Sequence, residues 1–258
     1  MADYVVANMQ DLGIKKGKVL IARDNQQMIR YLKEGKIDWV GETIFSGFMF
    51  EEKVNAELLL RRWKKGVPSY RTVFITRKDS SVRKLSDLMG KTIAFEDPGS
   101  TSSYFIPVAE LLSAGLPLVE LKSPGQAVPV GKVGYVFSRN ELNLSTWVYK
   151  GLVDAGAYSN LNWKNDKDTP KKSRQSMRIF HKTVEVPRAV EIVRNGLSPL
   201  IKARLKKILL QANKDSAAKA VLKSYGKTSK FDSIKRVPAE SMKQARRMFK
   251  TMHKARLQ

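Results

Sequence analysis

Eight consecutive residues, Asp97-Pro98-Gly99-Ser100-Thr101-Ser102-Ser103-Tyr104, carry the sharpest chemical signal in the chain. They follow a wholly apolar stretch, Thr92-Ile93-Ala94-Phe95, and open a run at helical spacing from about Thr101 to Ala114, with Gly115 as its stop. Ser or Thr at the first positions of a helix caps it and leaves several backbone N–H groups pointing outward. Hydroxyls and amides at the positive end of a helix dipole suit a tetrahedral oxyanion, because all of them can donate hydrogen bonds. Gly99 lets the backbone approach such a ligand closely. The same residues would also make an ordinary Pro-Gly turn with a serine cap, and taken alone they leave both readings open.

Other chemistries find less support. The pattern GxxxxGK[ST] is absent and no lysine follows the turn, so this is not a phosphate loop of the Walker type. GxSxG is absent too, which removes the nucleophile elbow. The chain has no cysteine, which excludes thiolate metal sites, disulfides and cysteine nucleophiles. Its two histidines, His181 and His253, leave little for a metal cluster or a serine-hydrolase triad. No metal, cofactor or catalytic residue is therefore expected.

Lys plus Arg is 48 and Asp plus Glu is 24, a net charge of 48 − 24 = +24, which points to anionic partners. The basic residues are scattered, as in KKGK at 15–18, RRWKK at 61–65 and KQARR at 243–247, and read as solvated faces. Basic residues interleaved with aromatics on one strand face would mark a nucleic-acid surface, and no such module is found. A basic nucleic-acid binder stays a minor alternative.

The elements that must position these residues alternate between strand and helix. With 258 residues and 42% apolar content the chain can build two lobes of about 100–150 residues. Strands are expected at Lys18–Ala22, Ile37–Val40, Glu57–Trp63, Tyr70–Thr76 and Thr92–Phe95. Helices are expected from Asn25 (as cap) to Gly35, over Thr43–Val54, and in the last third from Ser198-Pro199, over Ala217–Tyr225, and after Pro238. This spacing argues for α/β units with mostly parallel sheets. Tyr31–Val40 is echoed by Trp147–Gly156: a helix end, a Gly stop, two residues, then Asp38 or Asp154 at a strand start. No apolar run reaches a membrane span.

GKTIAFEDPGSTSSYFIPVAELLSAG resembles the signature stretch of the phosphate, phosphite and phosphonate substrate-binding proteins of ABC transporters. IDWVGETIFSGFMF, SYRTVFITRKDS, STWVYKGLVDAGAYSN and VPRAVEIVRNGLSPLIKARLKKILLQ are similar to the same family in the same order. The resemblance implies an α/β, two-lobed periplasmic binding protein fold of type II, with a ligand cleft between lobes and two hinge crossovers. It implies lobe one over 1–75 plus 183–258, lobe two over 76–182, and crossings near Thr76-Arg77 and His181–Val184. Ser100, Thr101 and Ser102 would hold the phosphoryl or phosphonyl oxygens. Tyr70 would enter from the crossover strand, and Glu42 and Thr43 from the loop after the first echo Asp, where the family more often has a Gly-Pro-like pair. Tyr158 and Asn160 are weaker cleft candidates. A histidine of some members falls near Glu141, so which side group of a phosphonate is recognised stays open. The implied function is capture of a small phosphorus oxyanion in the periplasm by a monomer, without catalysis or nucleic acid. The oxyanion would be delivered to an ABC permease in the inner membrane. The alternative from another class is a ligand-sensing domain of the same fold feeding a signalling partner. By the same resemblance Met1–Gly13 matches the family's first helix, so a first strand and a signal peptide are expected upstream. Lack of that strand is expected to leave two neighbouring strands with unpaired backbone groups and an exposed apolar stripe.

Overall fold

The structure, a computed structural model, describes residues 1–255. Its strands in chain order are β1 (Trp39–Glu42), β2 (Glu57–Lys64), β3 (Ser69–Tyr70), β4 (Thr72–Arg77), β5 (Thr92–Phe95), β6 (Leu118–Glu120), β7 (Val133–Phe137), β8 (Ala155–Ser159), β9 (Met177–Lys182), β10 (Val186–Pro187), β11 (Ala189–Val193) and β12 (Thr228–Ser233). The α-helices are α1 (Ala2–Ala7), α2 (Asn25–Lys33), α3 (Ile44–Val54), α4 (Ile106–Ser113), α5 (Glu141–Tyr149), α6 (Asn160–Lys164), α7 (Lys171–Gln175), α8 (Pro199–Gln211), α9 (Lys219–Ser224) and α10 (Ala239–Ala255). The chain divides into two compact units: Met1–Ser69 with Val186–Ala239, and Tyr70–Glu185 with the chain from Glu240 onward.

The first unit is built on the sheet β1-β11-β2-β12. Every neighbouring pair in it is antiparallel, against the mostly parallel sheets expected from the sequence. The reason is the route of the chain. β11 is entered on return from the other unit rather than through a βαβ crossover, so it runs against both neighbours. Leu205, Ile208 and Leu209 recur at helical spacing on α8 and pack with Leu60, Val193 and Phe231 of the sheet, joined by Val5 and Met9 from the N-terminal helix region. Asp24, not Asn25, caps α2: its carboxylate accepts from Gln27 N at 2.8 Å.

The strand expected at Lys18–Ala22 does not form. Extended backbone becomes a strand only beside a partner. Here β1 stands at the sheet edge and pairs with β11 alone, while Val19 and Ile21 are 77% and 88% exposed.

The second unit carries the sheet β6-β7-β5-β8-β4-β9. β5 is parallel to both β7 and β8, whereas β4 is antiparallel to β8 and β9. Val73, Ile75, Ala94, Val136, Leu144 and Val148 form part of its core. Because β4 is an interior strand of this sheet, residues 70–77 belong here. The unit boundaries therefore fall at 69/70 and 185/186, not at 75/76 and 182/183, and the two-stranded ribbon β3-β10 marks the two passages. The last helix also differs from the expected division. With Ala245, Met248, Phe249 and Met252 buried along one stripe, α10 groups with the second unit rather than the first.

Candidate functional site

β5 ends in the centre of the second unit's sheet, and the chain then turns at Asp97. Gly99 N donates to Asp97 Oδ1 at 2.8 Å and Ser100 N to Asp97 O at 3.0 Å, the local turn that Asp favours. Ser100 caps the helix start, its Oγ accepting from Ser103 N at 3.2 Å. The first turn is wide: Phe105 N reaches back five residues to Ser100 O at 3.0 Å, so Thr101–Phe105 is a π turn leading into α4.

Three neighbours hold this turn in place. Ser103 Oγ donates to Ala157 O of β8 and accepts from Glu96 N at 3.0 Å. Thr72 Oγ1, at the start of β4, donates to Ser102 O at 2.6 Å. The helix start therefore sits at the carboxyl end of β5, where α4 leads away to β6 on one side and β8 lies on the other. That is the switch point at which open α/β sheets bind ligands.

The hydroxyls of the predicted cradle have separate duties. Ser100 and Ser103 are committed to the protein. Thr101 is buried at 4% exposure. Ser102 is half-buried, and among the described residues its Oγ makes no hydrogen bond. The amides at a helix start have no carbonyl ahead of them to bond, so Ser102 offers a free hydroxyl beside outward N–H groups.

Sequence reasoning passed over Glu96, the carboxyl next to this cradle. Burial, with the charge of Glu141 next, raises its pKa to about 7, against a hydrogen bond from Ser100 that lowers it. The like charge of Glu141 disfavours the ionised form of Glu96, so the two carboxyls oppose each other's ionisation across this turn. Glu141 is steered by Asn162, whose Nδ2 donates to Glu141 Oε1 at 3.0 Å and to Asp168 Oδ2 at 2.8 Å. A carboxylate here repels an arriving anion; the neutral acid does not. Anion binding at this turn should therefore weaken as pH rises through about 7, by at most tenfold per pH unit for one proton. Titrating the parent and Glu96→Gln with the same anion at pH 6 and pH 8 cancels the anion's own ionisation. The parent should lose more affinity than the variant, and equal losses would remove Glu96 from the site.

The remaining sequence candidates separate. Tyr70 is buried in β3 at 7% exposure, in the second unit. Tyr158 is wholly buried, with its hydroxyl 2.8 Å from Thr169 Oγ1, and it is a core residue rather than a cleft residue. Asn160 clips the chain to Arg71: its Oδ1 accepts from Arg71 N at 3.1 Å and its N donates to Arg71 O at 2.9 Å. Glu42 and Thr43 belong to the first unit, at the junction of β1 and α3. There Glu42 Oε2 accepts from Thr43 N at 2.9 Å, and Thr43 caps α3.

The family model described as "ABC transporter, phosphonate, periplasmic substrate-binding protein" matches residues 7–237. The chain belongs to this family. It is a family of substrate-binding transport proteins, not an enzyme class. A phosphate-import protein, PhnD, of Mycolicibacterium smegmatis is 26% identical over 148 residues, 57% of this chain and 45% of that protein. The phosphonates-binding periplasmic protein of Escherichia coli is 25% identical over 245 residues, 84% of this chain and 64% of that protein. The chain thus spans less than two thirds of either curated relative. XAC2383 from Xanthomonas citri, solved bound to ATP, is 35% identical with a TM-score of 0.88, covering 99% of this chain and 92% of that one. PhnD1 from Prochlorococcus marinus, solved with methylphosphonate, has a TM-score of 0.64 at 18% identity, over 98% of this chain and 92% of that one. The fold is that of the type II periplasmic binding proteins. Among the described residues no helix is long and apolar enough to cross a membrane.

Proposed function

We propose that this chain is a solute-binding protein for a small phosphorus oxyanion, free or as the end of a larger molecule. It works in the periplasm, delivers its ligand to an ABC permease, and catalyses nothing itself. The observation that carries this reading is the Ser102 hydroxyl, half-buried and without a hydrogen-bond partner among the described residues, at a helix start on the carboxyl end of a central parallel strand. Family membership supports the transport role, and phosphorus oxygens are common to the phosphate, phosphonate and ATP named for its relatives.

Isothermal titration with phosphate, phosphite, methylphosphonate and ATP, with sulfate as the comparison, tests it. One of the phosphorus compounds should bind with Kd of about 1 μM or tighter, near −8 kcal/mol. Absence of binding by all four, or equal binding of sulfate, overturns the reading.

A further inference from the structure

We infer that the first unit carries a second anion site, built for a molecule with clustered phosphate groups. A cavity of about 600 Å³ opens where the chain after α8, α9 and the start of β12 come together. Lys214, Lys219, Lys223 and Lys227 line it, with Ser216 and Ser229 beside them. None of the residues at the helix start of the other unit takes part.

Three observations make this more than a patch of a basic protein. First, among the described residues the side chains of these four lysines form no ion pair, so an anion entering the space displaces no carboxylate from them. Like charges around one concave space repel and gain from an anion that spans them. Second, the one acid in the lining is already engaged. Asp215 Oδ2 accepts from Tyr4 OH at 2.8 Å and its Oδ1 from Ala217 N at 2.9 Å. Its charge is thereby turned to holding the N-terminal helix and the local turn, leaving a surplus of 4 − 1 = +3 around the cavity. Third, the walls include Ala212 and Leu222, both buried, so the space has an apolar base under its ammonium groups.

The space exceeds what one tetrahedral oxyanion fills, and no guanidinium lines it to fix a single carboxylate or phosphate in two-pronged fashion. Mobile ammonium groups around a roomy pocket suit several phosphates at once. A soluble oligophosphate and a membrane lipid with a phosphate headgroup offer the same chemistry.

The test uses the full chain and tripolyphosphate as the probe, at 0.15 M salt. Replacing Lys214, Lys219, Lys223 and Lys227 together by Gln should weaken tripolyphosphate binding at least tenfold. A control with Lys16, Lys33, Lys164 and Lys167 changed to Gln removes the same charge elsewhere and should cost less than threefold. If the fourfold variant melts early, the single Lys223→Gln and Lys227→Gln proteins should each lose about threefold. Ser102→Ala should leave tripolyphosphate binding to this cavity intact while weakening the ligand of the other unit, which keeps the two claims separable. Equal losses in the two fourfold variants would assign binding to the general field of the +24 chain and overturn the proposal. So would loss of tripolyphosphate binding in Ser102→Ala alone. Sedimentation with phosphatidic acid vesicles in phosphatidylcholine separates the sources. Pelleting that needs the cavity lysines supports the site with a lipid ligand. If tripolyphosphate binds and vesicles do not, the ligand is soluble. If neither probe depends on these lysines, the site does not exist.

Discussion

Ser102→Ala is expected to weaken oxyanion binding by about tenfold to a hundredfold with little change in melting temperature. A hydrogen bond to a charged group contributes roughly 1.5–3 kcal/mol, and among the described residues the Ser102 hydroxyl has no hydrogen-bond partner whose loss would destabilise the fold. Its carbonyl, held by Thr72 Oγ1, is untouched by the change. The neighbouring serines should behave in the opposite way. Ser103→Ala removes a bond to Ala157 O and an acceptor for Glu96 N inside the core, so stability should suffer. Ser100→Ala removes a helix cap worth about 1 kcal/mol and the partner of the Glu96 carboxyl. Calorimetric titration and thermal melts on the three variants should thus separate binding from folding within one turn. Undiminished affinity in Ser102→Ala would refute the assignment of this hydroxyl to the ligand.

The turn itself was legible in the sequence because its signals are local. Thr92–Phe95 forms β5 with the expected bounds, and Ser100 caps the helix that follows. Gly35 and Gly115, read as helix stops, have φ of +67° and +75°, which residues with a Cβ avoid. What was not legible depends on partners distant in sequence. Glu96 meets Glu141 only because β5 and β7 are paired in register, which brings the end of β5 beside the start of α5. Lys18–Ala22 has the composition of a strand and none of its pairing. Tyr158 misled for a related reason. β8 is buried at every position, so it shows no alternation that would tell an inward tyrosine from one facing a ligand.

The largest effect on stability is expected in the first unit, where β2 places consecutive arginines in buried surroundings. Arg61 holds Asp232 of β12 through two bonds, Nε to Oδ1 at 2.8 Å and Nη2 to Oδ2 at 2.6 Å. Asp232→Ala leaves that guanidinium without its counter-charge and should cost about 3–5 kcal/mol. Arg62 faces Glu191 of β11 at 3.3 Å, under different conditions. Glu191 is fully buried, and Trp39 Nε1 and Tyr225 OH both donate to its Oε2. Even so, burial outweighs the guanidinium and the two donors and raises its pKa to about 7. Gly41 is what admits this packing, since a Cβ there would lie 2.3 Å from Tyr225 OH. The two acids then have opposite consequences for pH. For Asp232, burial pushes the pKa up but the hydrogen bonds and charge of Arg61 help hold it below the usual value, so its contribution is lost in acid. Glu191 binds a proton more tightly folded than unfolded, so its contribution is whole below about pH 4.5 and declines as pH rises toward 7. The decline amounts to at most about 3 kcal/mol, from 1.36 kcal/mol per pKa unit. Urea unfolding at pH 5 and pH 7.5 should show the parent losing stability that Glu191→Gln, with no proton to release, retains. A variant whose pH dependence equals the parent's would mean that the carboxylate stays ionised against Arg62 throughout, and that the sheet of the first unit carries a buried charge pair on each face of β2.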